Sequence, residues 1–314
     1  MTSTVLPRHR ASATPDNPRR GIALIVASSV TFAIMNALVK LLSAHLGPVE
    51  IGFFRQVFSL FPIVAIVVRQ GGLSVLKTDR PFGHLFRGLI GNSSMIIFFL
   101  SVARLPLADA TALSFASPLF VTALSVPLLG EAVGRHRWSA VAVGFVGVLI
   151  MTNPSGDWLN GGTGVGAGLG VLAAFTSALM MITIRQLNRT ERPVAIVFYF
   201  ASIGSVFFGA LVTFFWVTPA PWEWVGLIGV GLTGGMSQLL MTNAYRHAPA
   251  AALAPFGYVS ILWSTLFGFM IWSQLPGPRV LGGASIVIAS GLYIIYRETR
   301  RRAKLVAQPM SDSI

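Results

Sequence analysis

Arg55 is the only charge inside "FFRQVFSLF", the apolar core of "VEIGFFRQVFSLF" (residues 49–61). Facing hydrocarbon, an arginine would cost at least about 2.5 kcal/mol, less what snorkelling recovers. It is therefore expected to face the protein interior. There it could meet a substrate carboxylate, carbonyls of another helix, or an outer gate. Glu50 lies in the same stretch, but its spacing from Arg55 is awkward for a pair on one helix. Uncharged polar residues in apolar runs form a second group. They are Asn36, Asn92 and Ser94 of "GNSS", Gln238 of "GGMSQLLMTN", and Tyr258 and Trp263 of "PFGYVSILW". Lipid offers them no hydrogen-bond partners, so they read either as substrate-binding residues or as helix–helix hydrogen bonds. Tyr258 and Trp263 could also stack on a planar ring. Asp109, Glu131 and Arg135 are candidates for gating or coupling. Asp109 follows Pro106 in a first helical turn, with Arg104 nearby, where a carboxylate offsets free N–H groups; a protonatable coupling group is the alternative. Glu131 and Arg135 have the i,i+4 spacing of a clamp.

Catalysis finds no such foothold. There is no cysteine, and the five histidines show no metal spacing. No glycine-rich phosphate loop carries a lysine and serine, so direct ATP driving is not expected. "GTGVGAGLG" (162–170) lacks a preceding strand and opens an apolar helix, so its glycines suit close packing better than a nucleotide. Neither an enzyme nor a metal or other cofactor is expected.

These residues need membrane helices to hold them. The chain has 314 residues, 54% hydrophobic and 11% charged, against about 25% charged in soluble domains. Ten apolar segments approach the roughly 20 residues that cross a bilayer. They cover 21–42, 49–69, 85–103, 107–129, 138–152, 166–184, 194–216, 224–244, 250–272 and 280–296. The expected fold is an all-α membrane protein of ten transmembrane helices; β-barrel strands would be shorter and alternate in polarity. Arginines and lysines gather in alternate connections, including Lys77, Arg80 and Arg87 in the second, and in both tails. That bias places both termini in the cytoplasm. It also explains the net charge of +13 by topology and by contact with membrane lipid, without nucleic acid.

The chain also repeats itself. Shifting it by 145 residues sets Thr31 on Thr176, Met35 on Met180, Pro48 on Pro193 and Phe53 on Phe198. A shift of 143 sets "ARLPLADATAL" (103–113) on "RHAPAAALAPF" (246–256), and Gly91 on Gly234. The expected organisation is a tail at 1–20, a five-helix repeat at 21–152, a connection at 153–165, a second repeat at 166–296 and a basic tail at 297–314. Five helices is an odd number, so the second repeat must be inverted. Inverted repeats suit a carrier whose halves rock about a central site. Arg55 then matches Phe200, and Glu50 matches Ala195. Pro118 and Pro255 are expected to kink helices four and nine, and neither has a proline partner in the other half.

The segments "GPVEIGFFRQVFS" (47–59), "LFRGLIG" (85–91), "LPLADATALSFASPLF" (105–120), "LLGE" (128–131), "VGFVGVLI" (143–150) and "AYRHAPAAALAPFGY" (244–258) resemble the drug/metabolite transporter superfamily, in its ten-helix EamA-type branch. The resemblance covers about residues 20–298. It implies secondary transport of a small-molecule substrate across a bacterial inner membrane, by a monomer or homodimer. "KTDRPFGHLFRG" (77–88) and "LADATALSFASPLF" look most like S-adenosylmethionine uptake carriers. "ALAPFGYVSILW" (252–263) is similar both to these and to riboflavin carriers. The resemblance therefore implies uptake of S-adenosylmethionine or another planar-ring metabolite. Export of amino acids or drugs, as in other branches, is the alternative; a channel or non-transporting scaffold is the alternative from a different class.

Overall fold

The structure is a computed structural model describing residues 17–130, 134–152, 162–187, 190–247, 253 and 256–307. Among the described residues every regular element is helical. In chain order they are α1 (Pro18–Leu42), α2 (Pro48–Arg69), a 3-10 helix (Gly72–Leu76), α3 (Pro81–Arg104), α4 (Leu107–Ser114), α5 (Ser117–Leu129), α6 (Arg135–Thr152), α7 (Gly162–Leu187), α8 (Pro193–Phe215), α9 (Pro221–His247), α10 (Ser260–Trp272) and α11 (Pro278–Ala307). Proline opens α1, α2, α3, α8, α9 and α11, a position where its missing N–H costs nothing. Asn17 adds a side-chain cap, accepting from Arg20 N at 3.2 Å. Gly130 ends α5 in the left-handed conformation, φ 65°, which a residue without Cβ adopts freely.

Among the described residues eight segments are long and apolar enough to cross a membrane, with α4 and α5 together forming one of them. Large side chains such as Phe214 (81% exposed) and Val206 (75%) lie on the outside, as a lipid-facing surface requires. The other two expected spans fall on α6 and α10, which are not among those eight; α10 is a shorter apolar helix of 13 residues. Two expectations change here. Pro118 does not kink a continuous helix. The chain breaks between Ser114 and Ser117, and Pro118 sits in the first turn of the new helix α5. Among the described residues, the prolines in helix interiors are Pro62 in α2 and Pro127 in α5. Pro255 lies outside the described residues. Arg87 is not in a connection: α3 begins at Pro81, and Arg87 lies roughly 9 Å along it at 1.5 Å per residue.

The helices pair across the two halves. α1 packs on α9 as α7 packs on α3; α2 packs on α9 as α8 packs on α3; α5 meets α7 as α10 meets α1. Two further pairs, α2 with α8 and α6 with α11, join corresponding elements, and α4 packs on α10, the counterpart of α5. Side chains repeat the exchange. A methyl added at Gly83 would lie 2.9 Å from Leu187, and one at Gly226 would lie 3.1 Å from Leu42. Gly88 approaches Ile203 as Gly231 approaches Phe58. Gly91 approaches Met180 and Phe200, while Gly234 approaches Met35 and Arg55. Each couple is related by the 143- and 145-residue offsets read in the sequence. Only the last carries a chemical difference of charge, Arg55 for Phe200.

Candidate substrate-binding site

Helix α2 sets Arg55, Gln56 and Ser59 against α8 and α9. With Ile63 they line a cleft closed by Val197, Phe200 and Ala201 of α8 and by Gly234, Gly235 and Gln238 of α9. About 170 Å³ of space lies between these atoms, none of it wide enough for a water molecule. The glycines set how close α9 comes. A methyl on Gly235 would lie 3.0 Å from the Ser59 carbonyl oxygen.

A polar chain runs through this layer. Arg55 Nη1 donates to Gln56 Oε1 at 3.0 Å. Gln56 Nε2 donates to Asn92 Oδ1. Asn92 Nδ2 donates to Gly88 O at 2.7 Å and lies 3.4 Å from Phe200 O. Together these bonds tie α2 to α3 and α8. Gln56 uses its oxygen for the guanidinium and its nitrogen for Asn92, which fixes the order of donors along the chain. Arg55 Nε also reaches Met35 Sδ at 3.5 Å, a weak acceptor.

Arg87 comes to the same place from α3. Its Cζ lies 4.3 Å from the centre of the Phe200 ring, and Arg55 Cζ lies 5.9 Å from it. Arg55 is 4% exposed and Arg87 2%. Arg87 Nε and Nη1 have no hydrogen-bond partner. Among the described residues no carboxylate lies within 4 Å of either guanidinium. A cation over an aromatic face gains about 0.5–2 kcal/mol, whereas burying an ion costs several kcal/mol. The ring alone therefore does not offset the burial, and an anionic group in this layer would.

Other polar contacts lie toward the ends of the bundle. Where α1 finishes, His45 Nδ1 lies 3.0 Å from Glu223 Oε1. Glu223 Oε2 accepts from Ala220 N at 2.6 Å, so the third residue of α9 caps that helix's own N-terminus. Glu223→Ala should lower the melting temperature of detergent-purified protein, with a loss of about 1–2 kcal/mol. Glu223→Gln, still able to accept from Ala220, should keep most of the stability; an equal loss in both would point to charge instead of the cap. At the same end Lys40 Nζ donates to Leu105 O and lies 5.4 Å from the centre of the Trp272 ring. At the opposite end His84 Nε2 is 3.5 Å from Glu191 Oε2, and Glu191 Oε1 accepts from Asp79 N at 3.3 Å.

The residues singled out in the sequence divide among these places. Arg55, Asn92 and Gln238 come together in the cleft layer. Asn36, 1% exposed on α1, has both side-chain amide atoms unpartnered. Ser94 instead joins α3 to α7, through Ser177 Oγ at 2.9 Å and Ala173 O at 3.2 Å. Tyr258 packs edge-on against Phe115 with ring centres 4.9 Å apart, and its hydroxyl fills the space over Gly291. Trp263 lies on α10 with Nε1 buried and unpartnered. Asp109 does sit in the first turn of α4, but the charge acting on it is Lys40; Arg104 is exposed and donates to Leu100 O. Glu131 lies outside the described residues, so the clamp with Arg135 does too. Arg135 itself is exposed at the start of α6. Gln56 and Arg87 were missed. Gln56 adjoins Arg55 and carried a signal as a polar residue within an apolar run. Arg87 was hidden among the basic residues that precede α3.

The description of the EamA-like transporter family matches the chain twice, over residues 19–153 and 164–297. The pseudopaline exporter of Pseudomonas aeruginosa is 33% identical, covering 86% of this chain and 94% of its own. The S-adenosylmethionine uptake transporter of Rickettsia bellii is 31% identical over 91% of this chain and 97% of its own. That of Rickettsia prowazekii is 30% identical, over 89% and 94%. A solved crystal structure superposes with a TM-score of 0.58 at 17% identity, covering 88% of this chain and 98% of its own; this likeness concerns the fold alone.

Proposed function

The chain belongs to the EamA-like transporter family and is a multi-pass membrane transporter; on that premise we propose that it is a secondary carrier moving a small organic metabolite across the bacterial inner membrane by alternating access. The observation that carries this reading is the buried layer in which Arg55, Gln56 and Asn92 of one half meet Phe200, Gly234 and Gln238 of the other. A site built from both halves changes its exposure when they tilt against each other. The exchange of helix pairings between halves supports ten spans in two inverted repeats. The basic connections and tails support cytoplasmic termini. Asn36 and Gln238 join Arg55 and Asn92 as substrate-contacting residues.

S-adenosylmethionine is the preferred substrate, moving inward. Relatives with that name are 30–31% identical to the chain, and the molecule carries a carboxylate suited to Arg55. Export is the second reading, favoured by the 33% identity to an exporter. The test is counterflow in proteoliposomes preloaded with S-adenosylmethionine, riboflavin or aromatic amino acids. A carrier trades labelled for unlabelled substrate across the bilayer. Flux without stimulation by substrate on the far side would identify a channel, and no flux with any compound would sink the carrier reading. Silence from S-adenosylmethionine and riboflavin beside exchange of an amino acid would remove the substrate preference and keep the carrier.

A further inference from the structure

We propose that Arg55 and Arg87 form a carboxylate-binding subsite around Phe200, so that the transported molecule is an organic acid or zwitterion whose carboxylate both guanidiniums hold. The inference deepens the carrier reading and rests on it. Arg87 is the residue that points to a ligand. It is buried, its Nε and Nη1 have no partner, and its guanidinium shares the Phe200 ring with that of Arg55, at 4.3 and 5.9 Å from the ring centre. Packing alone gives no reason to hold two like charges beside one ring without a carboxylate. A planar carboxylate satisfies both problems at once, because a guanidinium presents paired N–H groups matched to its two oxygens. Arg87 enters roughly 9 Å from the start of α3, and Arg55 roughly 10 Å from the start of α2. These two helices start at opposite ends of the bundle. A carboxylate could thus be met first by one arginine and then shared with the other, whichever end it entered from. The Gln56–Asn92 amides, committed to Arg55 and to backbone carbonyls, hold Arg55 in place for this contact. The subsite excludes riboflavin, which has no carboxylate, as the principal substrate.

The test uses the full chain purified in detergent, with thermal unfolding as the first readout. Without added solute, Arg87→Met should melt at the same temperature as wild type or higher, since an unpaired buried cation is removed; a lower melting temperature would mark Arg87 as a packing residue and overturn the inference. S-adenosylmethionine, citrate, succinate and L-glutamate are then titrated beside decarboxylated S-adenosylmethionine and riboflavin. At least one carboxylate should raise the wild-type melting temperature. Its apparent affinity should fall at least about tenfold in Arg87→Met and in Arg55→Gln, and Arg87→Lys should restore part of it. Where S-adenosylmethionine is that carboxylate, its decarboxylated form should bind at least about tenfold more weakly in wild type, and the difference should shrink in Arg87→Met. The proposal fails if no carboxylate shifts the wild type, if only uncharged or decarboxylated compounds do, or if the variants respond as wild type does. Because melting needs no transport, this failure is separate from absence of counterflow, which would sink the carrier reading instead.

Discussion

Arg55→Met should exchange substrate at least about a hundredfold more slowly than wild type, at equal protein in the membrane. Arg55 is charged, buried and aimed at the layer where the halves meet. A charge-assisted hydrogen bond to a bound anion is worth about 1.5–3 kcal/mol, and losing a buried partner costs about 2–5 kcal/mol. Two decades in rate correspond to about 2.7 kcal/mol, within that range. The measurement is initial counterflow rate divided by protein amount. Ser94→Ala is the comparison, since Ser94 bonds α7 and lies outside the cleft lining; it should lose less than about threefold, in keeping with a single neutral hydrogen bond. Equal losses in the two variants, or a loss only of protein in the membrane, would return Arg55 to a packing role. The repeat-matched change Phe200→Ala is not a silent comparison. It removes the ring beside both guanidiniums, so exchange should fall there as well.

Gly231→Val should be the most damaging single change to stability, at about 3 kcal/mol or more, because inserted methyl groups in a close-packed contact force the backbone to move. Even one added carbon at Gly231 would lie 2.2 Å from Phe58 Cβ and 3.0 Å from Phe58 Cα. The Cα atom cannot turn aside as a side-chain end can. At the corresponding Gly88 the obstacle is the Ile203 side chain, whose Cγ2 is 2.7 Å away, so Gly88→Val should cost less. Gly277, with nothing within 4 Å, should accept alanine with little change. Thermal unfolding and yield after detergent extraction read all three. Gly231→Val melting with Gly277→Ala would show that α2 and α9 can separate cheaply.

The fold was legible because bilayer length and charge bias act on every span, while the offsets of 143 and 145 tie distant positions together. Those offsets predicted more than organisation. They matched Gly91 with Gly234, Met35 with Met180 and Arg55 with Phe200, and those residues occupy corresponding contacts. The site was legible where a residue opposed its surroundings. Arg55 stood out because its neighbours along α2 are apolar. Arg87 follows His84, Arg80 and Lys77, and in that company a span residue looks like a connection. Pro118 misled for a local reason: proline inside an apolar run reads as a kink, yet here it starts a helix after a break. Lys40 and Asp109 are remote in sequence and come near each other only through the packing of α1 beside α4. Tyr258 and Trp263 gave an ambiguous signal, since an aromatic ring serves ligand stacking and helix packing equally well.

The unequal pair Arg55 and Phe200 bears on the direction of transport. If the halves exchange their conformations during transport, Arg55 moves into surroundings like those that hold Phe200 now, and the two end conformations differ in energy. In a carrier coupled to no second ion, detailed balance links that energy gap to the ratio of substrate affinities at the two faces. The pair then decides at which face the protein waits and how much solute saturates it there. Net movement follows the solute's own electrochemical gradient, so uptake and export can be performed by one machine working under different supplies.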